Sequence, residues 1–105
     1  MKTRELIGAA LDWAVAKCEG VEIIVAQENW HWYSTDWAQG GPIIEREIAD
    51  IERFSEALWE ATAYTKNAQD IVQSGPTPLI AAMRCYVASK LGVEVDVPAE
   101  LLSDN

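Results

Sequence analysis

"IIEREIADIERFSEALWEATAY", residues 43–64, decides what kind of protein this chain makes. Ile44, Ile48, Ile51 and Leu58 fall near helical spacing and breakers are few, so propensity favours a helix continuing from Pro42. The last seven residues, "LWEATAY", also alternate and are rich in strand formers. Trp59, Ala61 and Ala63 lie on one side, with Leu58, Glu60, Thr62 and Tyr64 on the other. One long middle helix makes a mostly helical protein, whereas a strand at Leu58–Tyr64 makes an α+β fold. Pattern alone leaves both open.

The flanks are plainer. Upstream, Leu6, Ala10, Trp13 and Ala14 recur at helical spacing, with Ile7, Leu11, Val15 and Cys18 widening the apolar stripe, so a helix is expected over Thr3–Glu19 with Gly20 as its stop. "VEIIVA", Val21–Ala26, is short, β-branched and apolar, as a strand would be. Downstream, "TKNAQDIVQSGP" reads as polar and turn-like. In "GPTPLIAAMRCYVASKLG", Thr77 is a natural N-cap and Pro78 a natural first helical residue; Leu79, Ile80, Met83, Val87 and Leu91 form an apolar face that ends at Gly92. "VEVDVP" alternates like an edge strand or extended tail, and "AELLSDN" suggests a short helical turn. No internal repeat or low-complexity tract interrupts the chain.

At 105 residues, half of them hydrophobic, the chain suits one domain, residues 1–105, with one modest core. A net charge of −9 argues against long nucleic acids, whose affinity for proteins comes chiefly from cations that displace condensed counterions. A small anion can still be held locally by an arginine or a helix amino terminus. No apolar run approaches a membrane span, and acids follow closely on the first residues, so a cytoplasmic protein without membrane partners is expected. Cys18 and Cys85 lack CxxC or histidine neighbours and read as reduced, mostly buried thiols.

The chemistry concentrates in "NWHWYSTDWAQGGP", residues 29–42. In an extended chain Trp30 and Trp32 share one side, with His31 and Tyr33 on the other. Ser34 or Thr35 can cap a helix with Asp36 in its first turn, and Gly40 and Gly41 permit close backbone approach or positive φ. Aromatic faces beside free amides suit a purine and its phosphate; the competing reading makes Trp30, Trp32 and Trp37 wedges of a small core. Arg84, between Met83 and Cys85, offers a planar fork for a phosphate or carboxylate, or a salt bridge to an acid such as Asp36. His31 has no readable catalytic partner. Glu45, Glu47, Glu52, Glu56 and Glu60 read as a solvated face, and no metal or nucleoside-triphosphate fingerprint occurs, so no cofactor is expected.

"LDWAVAKCEG", "YSTDWAQGGPIIERE" and "GPTPLIAAMRCYVASKLG" together resemble the NinX-like family of small phage-encoded proteins. The order of these segments is similar, more loosely, to a phage domain described as an alpha-beta-alpha sandwich. The resemblance implies a strand at Trp59-Glu60-Ala61 before the final helix, and therefore an α+β domain whose terminal helices pack on a short sheet containing Val21–Ala26 and Leu58–Tyr64. It also implies an accessory role in the infected host cell, where such proteins act on host pathways or defence by binding a protein or sequestering a nucleotide signal. The expected function is therefore non-enzymatic capture of a small nucleotide-like molecule, by Trp30, Trp32, Tyr33, Ser34, Thr35, Asp36, Trp37, Gly40, Gly41 and Arg84. The alternative is inhibition of a host enzyme through the acidic and aromatic surface. Five tryptophans in so small a domain further suggest a homodimer.

Overall fold

The computed structural model describes residues 1–21, 31–65 and 69–101. Its helices are α1 (Gly8–Cys18), α2 (Trp37–Glu47) and α3 (Pro78–Leu91), and its strands are β1 (Asp50–Ser55), β2 (Leu58–Tyr64) and β3 (Asp70–Gly75); Thr3–Glu5 and Ala99–Leu101 are single 3-10 turns. The strands form one antiparallel sheet in the order β1-β2-β3, so the domain is α+β. Residues 22–26 of the expected strand at Val21–Ala26 lie outside the described residues.

Helix α3 is the centre. Of the expected face, Leu79, Ile80, Met83 and Val87 are buried and Leu91 is half-buried, and Ala81, Ala82, Cys85, Tyr86 and Ala88 on its other sides are buried too. A helix that is apolar all round must be covered all round. One side lies on the sheet, while α1 and α2 pack on the other. Strand β2 permits this close approach because Ala61 and Ala63, at 0% and 2% exposure, present only methyl groups. The described helices therefore all lie on one side of the sheet, which departs from a sandwich with helices on both faces.

The ambiguous middle divides between helix and strand. Asp36, not Ser34 or Thr35, is the N-cap of α2: its Oδ1 accepts the Ala38 amide at 3.0 Å. Ser34 and Thr35 instead belong to a tight turn in which the Thr35 and Asp36 amides both donate to the Trp32 carbonyl. Three residues after the cap, Gln39 accepts the Trp32 amide through Oε1 and donates to Asp36 Oδ2, a variant of the capping box. That cap starts the helix five residues before Pro42, and the helix runs through Gly40, Gly41 and Pro42 rather than breaking there.

Strands β1 and β3 depart from the sequence expectation. Asp50–Ser55 looked helical and Asp70–Gly75 looked like a turn, because each is an edge strand with a wet outer face and shows few apolar residues. Their pairing with β2 decides the matter: Ile51 stands opposite Ala61, and Ile71 opposite Ala63, toward α3. Glu52 and Glu60 face each other across the strands on the solvated side.

The expected first helix is also cut short. The Thr3 hydroxyl donates to the Gly92 carbonyl and the Leu6 carbonyl accepts Arg84 Nε, so residues 3–7 are held by tertiary contacts that a continuous helix would forbid. Gly20, at φ 74°, ends α1 as expected. Val93–Pro98 stays extended, bridged through Glu94 to Lys2.

Where the last turns of α1, α2 and α3 meet, Glu19 accepts both Tyr86 Oη and Arg46, and Glu47 accepts Arg46 Nε at 2.8 Å with Lys90 Nζ 3.6 Å away. Glu47 is thus a tether rather than part of a solvated face, and Arg46 holds its carboxyl below the usual range. Cys18 and Cys85 are unpaired, with burial pushing both thiols up to about 11. Cys85 Sγ donates to the Ile71 carbonyl at 3.2 Å, joining α3 to β3.

Two contacts position the 33–36 turn. Asp12 of α1, 1% exposed, accepts the Ser34 amide through Oδ1 at 2.8 Å. Gly40 brings α2 against the turn and α3, where a Cβ would strike the Tyr33 carbonyl and lie 2.6 Å from Leu79 Cδ1, while a Cβ on Gly41 meets open space. Neither glycine has positive φ.

Burial raises the Asp12 carboxyl above its ordinary value, outweighing the Ser34 bond. The folded state therefore holds the proton more tightly than the unfolded chain, and that stabilisation is lost as pH rises from the unfolded value near 3.8 through the folded one. Asp12→Asn keeps an acceptor for Ser34 without the charge; urea melts are expected to show this pH dependence flattened. Asp12→Ala orphans the amide and is expected to cost about 1–3 kcal/mol. Gly40→Ala is expected to destabilise by about 1–3 kcal/mol through overpacking. Gly41→Ala gains helix propensity but sets a Cβ against the ring of Pro42, which follows it in the helix, so it is expected to change stability by less than about 1 kcal/mol.

Candidate ligand-binding site

A shallow cleft of about 220 Å3 opens between the 33–37 turn and the first turn of α3, lined by Ser34, Thr35, Trp37, Thr77, Pro78, Leu79 and Ile80. It contains the start of two helices. Helix α2 begins at Trp37 and α3 at Pro78, and the amino-terminal ends of both carry partial positive charge and amides without intrahelical acceptors. Thr77 Oγ1 uses one of these, accepting the Ile80 amide at 3.0 Å. Pro78 has no amide hydrogen, and the Leu79 amide, in the first turn, has no acceptor inside its own helix.

Side chains round the cleft divide by exposure. Trp37 is 54% exposed and offers its face at the rim. Thr35 is exposed, whereas Ser34 is 2% exposed and its hydroxyl has no hydrogen-bond partner among the described residues. Asp12 anchors the Ser34 amide behind it.

The structure thus gathers Ser34, Thr35 and Trp37 into one cleft and assigns the other expected residues elsewhere. Trp32, 53% exposed, stands outside the cleft lining. Tyr33 is buried at 8% exposure, its ring stacked on His31 at 5.3 Å between centroids and 11° between planes, so it packs inward and has no face free for a ligand. This pairing agrees with His31 and Tyr33 sharing a side of an extended segment. Asp36 is consumed as the cap of α2. Gly40 is covered by Tyr33 and Leu79, and Gly41 faces open space within α2. Trp30 lies outside the described residues.

Arg84 does not line the cleft and, among the described residues, pairs with no carboxylate. Its Nε donates to the Leu6 carbonyl at 2.8 Å and Nη1 to the Ser74 carbonyl at 2.9 Å, so the fork staples the amino-terminal segment to the end of β3. Burial lowers its pKa accordingly. Among the described residues no lysine or arginine lines the cleft, so its attraction for an anion rests on the two helix amino termini, of which that of α2 already carries the Asp36 carboxylate on the Ala38 amide. Sequence reasoning missed Leu79 and Ile80 as cleft residues and took Thr77 only for a cap. The signal available was the cap itself, since it fixes where α3 begins, although Thr77 takes the Ile80 amide and Pro78 has none, which leaves the Leu79 amide as the first-turn donor without an intrahelical partner.

Among the described residues, no group of histidine, cysteine and acidic side chains has metal-binding geometry, and no helix is long and apolar enough to cross a membrane. No curated protein matches the sequence. The family model described as "Bacteriophage P22, NinX" matches residues 2–90, a span that includes all three helices to within a residue, the whole sheet and every residue lining the cleft. The chain therefore belongs to the phage NinX family, which makes it a phage accessory protein.

Proposed function

We propose that this NinX-family protein counters host defence by binding and holding a small nucleotide-like signalling molecule without converting it. The observation that supports this reading is the convergence of two helix amino termini on one cleft with a half-exposed tryptophan at its rim. A phosphate is favoured at such termini even in a chain of net charge −9, because the attraction is local. The Trp37 ring offers a stacking surface for a base. At about 220 Å3 the cleft suits one phosphate or ring, with the rest of the ligand lying over Trp37.

A second reading has its own support: Trp32 and Trp37 are both exposed on a firmly capped segment of an acidic protein, as expected of a surface that docks on a host enzyme or on a second copy of the chain. The two readings make different demands on the tryptophans.

Purified protein incubated with cyclic and ADP-ribose-type nucleotides is expected to show saturable quenching of tryptophan fluorescence and to release the ligand intact on heating. Trp37→Ala is expected to weaken binding by about 1–3 kcal/mol, roughly fivefold to 150-fold in Kd, and Trp32→Ala to leave it nearly unchanged. A converted product overturns non-enzymatic capture. Absence of nucleotide binding at micromolar concentration, with a protein complex or a dimer in light scattering lost equally in both variants, favours the docking reading.

A further inference from the structure

A second pocket, of about 260 Å3, lies beside the amino-terminal segment and is lined by Lys2, Arg4, Gln73 and Val93. Most cations of this acidic protein are engaged. Lys17 lies over Trp13 and Arg53 over Trp59, Arg46 and Lys90 pair with Glu47, and Arg84 serves two backbone carbonyls. Arg4 has no such partner among the described residues. Seventeen acidic residues were available to pair with it, yet the polar side chain that shares its pocket from the sheet is the neutral amide of Gln73.

The backbone under Arg4 is held firmly. Thr3 is fully buried, its amide donates to the Val93 carbonyl at 2.9 Å and its hydroxyl to the Gly92 carbonyl at 2.6 Å. Leu6, also fully buried, has its carbonyl fixed by Arg84. Arg4 therefore projects from a single turn pinned on both sides, which reduces the entropy lost when its fork engages a ligand. Lys2 stands next to it with its ammonium 3.6 Å from Glu94, an exposed carboxylate that competes with any anion for that charge. Val93, 68% exposed, gives the pocket an apolar side.

We propose that this pocket binds the phosphoryl group of a small phosphate monoester. The Arg4 fork takes two oxygens in parallel hydrogen bonds, Lys2 and the Gln73 amide donate to the rest, and the organic substituent rests on Val93. Glu94 acts as an internal competitor for Lys2. The site is separate from the Trp37 cleft and stands or falls independently of ligand capture there.

The test is a titration of 15N-labelled protein with inorganic phosphate and with methyl phosphate at constant ionic strength, following the Arg4 Nε–H and Gln73 side-chain amide signals. Saturable shifts at both groups are expected, with methyl phosphate binding at least as tightly as inorganic phosphate. Arg4→Ala is expected to weaken binding by about tenfold or more, and Arg53→Ala, which removes an exposed arginine elsewhere, to leave it unchanged. Glu94→Gln is expected to tighten binding by about threefold by releasing Lys2. Shifts that rise linearly without saturation, equal effects of the two arginine variants, or methyl phosphate binding more weakly than inorganic phosphate overturn the proposal. The backbone spectrum of each variant reports whether the fold is retained.

Discussion

Everything in this domain is arranged around the need to cover α3. Nine of its fourteen residues are buried, distributed round the whole cylinder, so neither the sheet nor the other helices could shield it alone. The sheet takes one side, using the small Ala61 and Ala63 to come close, and α1 and α2 take the other. An apolar helix left with one bare side would lose a large part of the burial free energy that a chain of 105 residues can collect. The edge strands, and the separation of the Thr3–Glu5 turn from α1, accompany the closing of that shell.

The closure is secured by polar groups placed where the apolar surface runs out. At one end, Glu19, Arg46, Tyr86, Glu47 and Lys90 tie the last turns of the three helices together, with the cations Arg46 and Lys90 near helix carboxy termini where the dipole favours them. At the other, Asp12 reaches from α1 to the Ser34 amide, and Gly40 lets α2 settle against Tyr33 and Leu79. The same contacts that complete the core also place Trp37 and the starts of α2 and α3 side by side. The cleft is a by-product of the packing, and the Asp12 carboxylate is the element that holds its turn in position.

Charge and aromatic surface are separated in the folded chain. The exposed tryptophans are near the beginning of α2, where no described cation lines the cleft, whereas Lys2, Arg4 and Arg84 collect round the amino-terminal segment and β3. Arg84 is spent on the carbonyls of Leu6 and Ser74, and is unavailable to a ligand at the cleft.

Local signals written in contiguous residues were legible in the sequence: the Thr77-Pro78 start and Gly92 end of α3, the Gly20 stop of α1, the alternation of Leu58–Tyr64, and the shared side of His31 and Tyr33. Each depends on neighbours within a turn or a strand's length, where sequence distance and spatial distance agree. Ser34, Thr35 and Trp37 could be suspected together for the same reason. Tertiary structure decided the rest. Edge strands β1 and β3 gain their identity from pairing with β2, since a strand with one wet face carries too few apolar residues to announce itself. The capping role passed from Ser34 or Thr35 to Asp36 because those two residues are held in a turn closed on the Trp32 carbonyl and anchored at the Ser34 amide by Asp12, 22 positions away, while Gln39 braces Asp36. Arg84 went to Leu6 and Ser74 because a guanidinium is drawn to the nearest unpaired carbonyls once its helix is buried, and which carbonyls those are depends on contacts 78 and 10 residues distant in the chain.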